Sequence, residues 1–172
     1  MKKMFSIALI IFALLCTACN SGIDPDDLDF DRSFSLTANL EYNGRGSVAQ
    51  FARTAPGQWS GTLVEPYSLQ GVEIAYSPLE MSVSYAGFAV NHGDDSPPDI
   101  NITAFVMLAV LESAFLSEDV SISSGKDWVE IAGSHDGGVY VLRLDRNGLP
   151  VSLSIPNQQL KVTFSEVTAM NF

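Results

Sequence analysis

The sequence predicts a mainly β protein of the α+β class, in which a large curved antiparallel sheet, an incomplete barrel, wraps around one apolar helix. About ten short segments carry strand patterns, tight-turn residues separate most neighbours, and one apolar run is too long to be a strand. Short connections favour antiparallel neighbours, and a helix that is apolar on most sides needs cover on most sides.

Residues 1–18 have the layout of a bacterial export signal. Two lysines give a positive start, residues 4–15 are apolar except for Ser6, and the small residues Thr17 and Ala18 follow. The apolar run of about a dozen residues is shorter than the roughly 20 that a spanning helix needs. We therefore predict that this segment is a signal peptide and not a membrane anchor.

The two cysteines, Cys16 and Cys19, stand at the end of this signal. A redox pair usually opens a helix after a strand, and no folded domain precedes these residues. A structural zinc site needs four ligands, and only two distant histidines could complete one.

The run LCTAC, residues 15–19, resembles a bacterial lipobox, in which small residues precede a cysteine that is diacylated and becomes the mature N-terminus. The resemblance implies that Cys19 is the lipid anchor, carrying acyl chains such as palmitate, and that Cys16 leaves with the signal. The protein would then be exported and lipid-anchored on the extracytoplasmic face of the bacterial membrane. The alternative is an ordinary signal peptide with an incidental Cys19.

Residues 20–32 form an acidic stretch with five aspartates and little to bury. Like charge and low hydrophobicity predict a solvated tether, within residues 19–32, between the anchor and a globular domain of residues 33–172, and we expect the tether to be dispensable for folding. The spacing of its aspartates suggests a calcium loop, but the central glycine and the final glutamate of an EF-hand are missing.

The domain reads as a strand meander. Asn43-Gly44 and Asn147-Gly148 hold the Asn-Gly step suited to tight hairpins, while residues 135–138 and Pro156-Asn157 also indicate turns. Alternating or less regular apolar runs predict strands at residues 33–42, 45–53, 58–65, 71–76, 79–85, 120–123, 127–133, 139–145, 151–155 and 160–165.

Residues 99–117 break this pattern, because residues 104–111 are apolar without a gap. Such a length is normal for a helix, which Asp99 or Asn101 can cap. A membrane span is the alternative, and its length, Glu112 and the flanking strands argue against it.

The formal net charge of −11 becomes more negative once the two N-terminal lysines leave with the signal. An acidic chain repels phosphate backbones, so we expect no nucleic-acid partner. It also repels anionic lipid headgroups, so any membrane link would run through the acyl chains on Cys19.

No catalytic motif is recognisable. His92 and His135 lie in turn-like stretches beside aspartates, and neighbours in sequence seldom form a base with its orienting partner. Nucleophile-elbow, phosphate-loop and zinc-protease patterns are all missing. Paired carboxylates of the glycosidase kind stay open, because their separation in space cannot be read from a sequence. We predict no enzyme, with no catalytic residues, metal ligands or cofactor.

Two stretches resemble the LolA/LppX-like lipoproteins. QWSGTLVEPYSLQG, residues 58–71, is similar to their strand, Glu-Pro and Gly pattern, and GLPVSLSIPNQQLKVTFSEV, residues 148–167, resembles their closing hairpin. With the signal, the acidic stretch, the meander and the helix, the resemblance covers most of residues 33–167. It implies an incomplete barrel around an apolar cavity lidded by helices, and a role with lipids or lipoproteins.

These observations favour a membrane-anchored protein that binds lipid or another apolar ligand between sheet and helix. Among the residues predicted to contact this ligand, Met107 is the strongest candidate, because its flexible thioether adapts to varied apolar ligands. Each candidate is also compatible with an ordinary core position. The alternative is a non-catalytic surface interaction module or envelope-complex subunit with a protein partner. The predicted ligand-binding residues are Leu63, Met81, Val83, Phe105, Met107, Leu108 and Leu111.

Replacing Cys19 by alanine should move the protein from the membrane fraction to the soluble exported fraction, because the acyl chains would have no thiol to attach to. Cys16→Ser should leave lipidation intact, since that residue leaves with the signal. Cell fractionation and the intact mass measure both results. A Cys19→Ala protein that stays membrane-bound with unchanged mass would contradict the anchor.

Overall fold

Eleven strands form one antiparallel sheet in the part of the chain that the computed structural model describes, residues 22–91, 99–136 and 138–170. One α-helix, α1 (Asp99–Leu116), interrupts the strand series. The strands are β1 (Phe34–Tyr42), β2 (Arg45–Ala55), β3 (Gln58–Glu65), β4 (Glu73–Tyr76), β5 (Met81–Tyr85), β6 (Phe88–Asn91), β7 (Ser121–Ser124), β8 (Trp128–His135), β9 (Gly138–Asp145), β10 (Pro150–Ile155) and β11 (Leu160–Ala169).

The strand order is β6-β5-β4-β3-β2-β1-β11-β10-β9-β8-β7. The first and last strands pair at the centre, each half of the sheet is a meander, and α1 connects the two edge strands. The edges β6 and β7 do not pair with each other, so the sheet remains an open, incomplete barrel. The predicted fold class is therefore confirmed.

The sheet has one strand more than predicted. The sequence pattern missed β6, because its hairpin turn is Ala86-Gly87 and not an Asn-Gly step. Both turn residues have positive φ, 51° and 84°, which is the backbone of a tight hairpin even though alanine seldom adopts it. The predicted Asn43-Gly44 turn has the same form, with φ of 49° and 74°.

The inner face of the sheet is apolar and α1 lies against it. Alternate residues of β1, including Phe34, Leu36 and Leu40, are buried on this face. Met107, Leu108 and Leu111 of α1 have no exposed surface. Within the described chain, no helix combines the length and hydropathy that crossing a membrane requires.

Glu112 anchors α1 to the sheet through a buried ion pair with Arg53 of β2. Arg53 Nε donates to Glu112 Oε1 at 2.7 Å, and Arg53 Nη2 donates to Oε2 at 3.0 Å. The backbone N–H of Gly57 and the indole N–H of Trp59 donate to the same carboxylate. Four donors thus fill the roughly four acceptor sites of the Glu112 carboxylate. These hydrogen bonds offset the free-energy cost of removing its charge from water.

Arg53 also binds the segment that precedes β1. Its Nη1 donates to the carbonyl of Phe30 at 2.6 Å and to that of Arg32 at 3.0 Å. The guanidinium lies 5.1 Å from the centroid of the Phe115 ring, within cation–π distance. One side chain therefore joins β2, α1 and the N-terminal segment.

Residues 22–32 are docked, so the prediction of a solvated tether is wrong for this part of the chain. Ile23 N donates to the carbonyl of Gly125 at 3.1 Å, and Leu28 lies beside Gly148. The Phe30 ring stacks on Phe115 with centroids 5.9 Å apart. The prediction weighed the aspartates, whereas the apolar residues set between them determine the packing.

Phe30→Ala should lower the free energy of unfolding by about 2 kcal/mol, because it removes a half-buried ring from Phe115. Asp27→Asn, an exposed change in the same segment, should shift it by less than about 0.5 kcal/mol. Urea titration of both proteins measures the difference. Equal stabilities would restore the solvated-tether interpretation.

Glu112→Gln should cost about 3–5 kcal/mol, because it leaves the buried Arg53 guanidinium without its counter-charge. The double variant Arg53→Met/Glu112→Leu should cost much less than the sum of its single changes, since neither charge is then stranded. Glu118→Gln, just beyond α1, is the neutral control. A double-mutant cycle by urea unfolding tests this, and additive effects would contradict it.

Candidate functional site

Five of the seven predicted ligand-binding residues lie in the closed core. Leu63 of β3 is 1% exposed, Phe105 is 4% exposed, and Met107, Leu108 and Leu111 are fully buried. They belong to the hydrophobic cluster between the sheet and α1. Contact between a ligand and these five residues stays a prediction, and in this conformation the protein itself covers them.

The other two, Met81 and Val83, lie on β5 at the rim of the same core. Val83 is paired with Ile74 and Met81 with Tyr76, so both side chains point to the inner face. Ile74 is 2% exposed, whereas Met81 and Val83 are only half-buried. The side chains of the inner face are thus more exposed on β5 than on β4.

The inner face continues to Tyr85 and Phe88, which are 56% and 81% exposed and directly opposite each other. We call Met81, Val83, Tyr85 and Phe88 the β5–β6 strip. It is an apolar surface that begins at the core and opens at the edge of the sheet. Sequence reasoning missed its two aromatic residues, although the alternation 81, 83, 85 indicated the first.

Tyr76 borders the strip on its buried side. Burial raises the pKa of the Tyr76 phenol, and the negative charge of Glu112 raises it further. The hydroxyl therefore stays protonated at neutral pH. It places a neutral polar group, able to donate or accept a hydrogen bond, next to an apolar surface.

A second opening separates α1 from the turns at one end of the sheet. This cavity has a volume of about 450 Å³ and lies between Val106 of α1 and the turns that follow β1 and β10. Tyr42, Asn43, Gln158 and Gln159 give it a largely polar rim. None of the seven predicted residues lines it.

Groups suited to chemistry are sparse in the described residues. His135 Nε2 lies 3.4 Å from Asp136 Oδ2 at the end of β8, where the Asp136 side chain is 89% exposed. No cluster of three or more His, Cys, Asp or Glu side chains in this part of the chain could hold a metal ion. Cys16, Cys19 and His92 lie outside the described residues.

Comparison with known proteins finds likeness in structure and not in sequence. No protein-family model matches the chain, and no curated protein matches it. An uncharacterized conserved protein from Thermus thermophilus superimposes with a TM-score of 0.52 at 11% identity, over 83% of this chain and 81% of that one.

Two further structures match less closely. MucB aligns with a TM-score of 0.49 at 15% identity, over 84% of this chain and 56% of its own. The LolA superfamily protein NE2245 from Nitrosomonas europaea aligns with a TM-score of 0.41 at 10% identity, over 84% and 89%. At these identities the likeness concerns the fold alone. The structures that this chain is similar to thus include a member of the LolA superfamily, the group that the sequence resembles.

Proposed function

We propose that this protein is a non-catalytic lipoprotein of the cell envelope that binds a lipid acyl chain along the β5–β6 strip. One observation carries the proposal: the apolar inner face of the sheet continues past the core and is left half open at the strip. An apolar ligand that covers this exposed apolar surface removes it from water, which is favourable in free energy.

The side chains of the strip suit an acyl chain. Met81 is flexible and polarizable, and Tyr85 and Phe88 offer flat rings for methylene contact. No residue of the strip is cationic, and the whole chain is acidic, so an anionic headgroup would be repelled. The ligand is therefore a neutral or zwitterionic lipid.

Burial of the acyl chain sets the affinity. Each buried methylene contributes about 0.8 kcal/mol, so about ten would give roughly 8 kcal/mol before association costs. Those costs leave an affinity in the micromolar range or weaker. Further contacts would form only if the end of the acyl chain entered between α1 and the sheet. The residues there are Leu63, Phe105, Met107, Leu108 and Leu111.

A lipid anchor on Cys19 would support this role, because it would hold the domain beside its ligand source. The docked N-terminal segment joins the domain at Ile23, beside Gly125. Only a few residues would then separate the bilayer from the folded domain. Aromatic side chains such as Tyr85 are favoured at the boundary between water and lipid.

A protein-interaction module is the second candidate. Tyr67 and Leu79, in the turns on either side of β4, are 87% and 98% exposed. Strand β6, two positions from β4, is an edge strand of the described sheet, and its outer backbone groups could accept a strand from a partner. This candidate requires a protein ligand and no lipid.

Val83→Asp should weaken binding of a fluorescent phosphatidylcholine analogue at least about tenfold, because it places a charge in the path of the acyl chain. Val139→Asp, on the exposed outer face of β9, is the matched control and should bind like the unaltered protein. Titration of the Cys19→Ala protein, free of attached lipid, measures both.

Met107→Ala tests how deeply the ligand enters. A ligand held on the strip would bind with unchanged affinity, whereas one inserted beneath α1 would lose affinity. Absence of saturable binding, or equal loss in the Val83→Asp and Val139→Asp proteins, would rule out the lipid site. The interaction module would then be the better explanation.

A further inference from the structure

Two turns of the sheet contain the step Asn-Gly, one at Asn43-Gly44 and one at Asn147-Gly148. In this step the backbone nitrogen of glycine can attack the side-chain amide carbon of asparagine, because glycine has no Cβ to obstruct the approach. Asparagine is among the residues that are least stable to heat. The two turns thus share a reactive dipeptide, and their surroundings determine which of them reacts.

Hydrogen bonds hold the Asn147-Gly148 turn in one conformation. Asp145 Oδ1 accepts from Asn147 N at 2.8 Å, and Asp145 Oδ2 accepts from Asn147 Nδ2 at 3.2 Å. Gly148 N donates to the carbonyl of Asp145 at 3.1 Å, and Arg32 Nη1 donates to the carbonyl of Asn147 at 3.0 Å. Both reacting groups, the side-chain amide of Asn147 and the nitrogen of Gly148, are therefore already engaged.

The Asn43-Gly44 turn is not restrained in this way. In the described part of the chain, no hydrogen bond involves the Asn43 side chain or the N–H of Gly44. Both residues are exposed, and a Cβ at Gly44 would meet no atom within 4 Å. Water therefore reaches the Gly44 nitrogen, which must lose its proton during the attack.

The backbone of this turn also favours rearrangement. Asn43 has φ of 49° and Gly44 has φ of 74°, the left-handed conformation of a two-residue hairpin. This conformation costs free energy in a residue that has a Cβ. The attack requires Asn43 to rotate until its side-chain carbon meets the Gly44 nitrogen. Because no side-chain hydrogen bond opposes the rotation, local opening of the turn is sufficient.

We propose that Asn43 is a site of spontaneous deamidation in the folded protein and that Asn147 is protected from it. The Gly44 nitrogen loses its proton to water and forms a bond to the Asn43 side-chain carbon. The bond from that carbon to Nδ2 breaks, and ammonia leaves. Water then opens the cyclic imide at either of its carbonyls, which gives aspartate or isoaspartate. One water is consumed for each ammonia released, and nothing is oxidised or reduced.

The reaction would alter the cavity of about 450 Å³ between α1 and the turns, which Asn43 lines together with Gln158 and Gln159. The residues that line this cavity carry no charge, so a carboxylate at position 43 would introduce the first one. Isoaspartate also adds a carbon to the main chain, which no longer matches the two-residue connection between β1 and β2. This proposal does not depend on lipid binding, because the β5–β6 strip lies on other strands.

Incubation of the full-length chain in a non-ionic detergent at mildly alkaline pH, followed by tryptic peptide mass spectrometry, tests the proposal. Trypsin places Asn43 in a peptide of residues 33–45 and Asn147 in a peptide of residues 147–161, so each conversion is measured separately. Fragmentation distinguishes them from Asn39 and Asn157 in the same peptides. We expect Asn43 to convert at least about tenfold faster than Asn147, because the second turn must first break hydrogen bonds.

Two controls isolate the effect of the fold. In guanidinium chloride the unfolded chain should convert both asparagines at similar rates, since each then precedes a glycine in an unstructured backbone. Asp145→Ala removes both carboxylate acceptors of Asn147, so it should accelerate conversion of Asn147 and leave the rate at Asn43 unchanged.

Equal rates at the two asparagines of the folded protein would overturn the proposal. So would an Asn43 that stays intact in the folded protein while the unfolded chain reacts, because the turn would then be protective. A rate at Asn147 that Asp145→Ala leaves unchanged would contradict the hydrogen bonds as the cause of its protection.

Discussion

The buried pair of Arg53 and Glu112 is the interaction on which the rest of the structure depends. The hydrogen bonds between strands do not hold a helix on the inner face of the sheet. The apolar residues of α1 bury surface against the sheet, but they do not fix the position of the helix along it, because apolar contacts are not directional. The fork of Arg53 is directional: it fixes Glu112 on one side and the carbonyls of Phe30 and Arg32 on the other. The positions of the helix and of the N-terminal segment are thereby coupled through one side chain.

The fold was largely predictable because a sheet that is buried on one face requires apolar residues at every second position of its strands. Strand β1 alternates over its length and β11 alternates over residues 160–165, and α1 is too long and too apolar for any other element. The buried pair was not predictable, since Arg53 and Glu112 are distant in sequence and no local pattern links them. A lone carboxylate in an apolar helix was the available signal, and it served only to argue against a membrane span. The docking of Phe30 was missed because composition was averaged over a stretch dominated by aspartates.

The candidate sites show the same limit. Periodicity identifies which side chains share a face, but the share of that face covered by α1 depends on tertiary packing. Leu63 and Val83 therefore looked equivalent in sequence, yet one is enclosed and the other lies at the rim. On the opposite face, the side chains that the central strands present depend on cross-strand register and on a bulge at Glu166. A one-residue displacement of β11 would turn its side chains to the other face of the sheet, and no local pattern in the sequence marks the bulge.

The pairing of β1 with β11 has a consequence for how the molecule forms. Phe34 and Ala169 are neighbours in the sheet although they lie at opposite ends of the domain's sequence. Contacts of such separation make folding slow, because a long loop must close before they form. The centre of the sheet cannot be completed until the last strand is available. If the chain crosses a membrane beginning with its N-terminus, the centre of the sheet would thus remain incomplete during transit. It would form only after β11 has emerged.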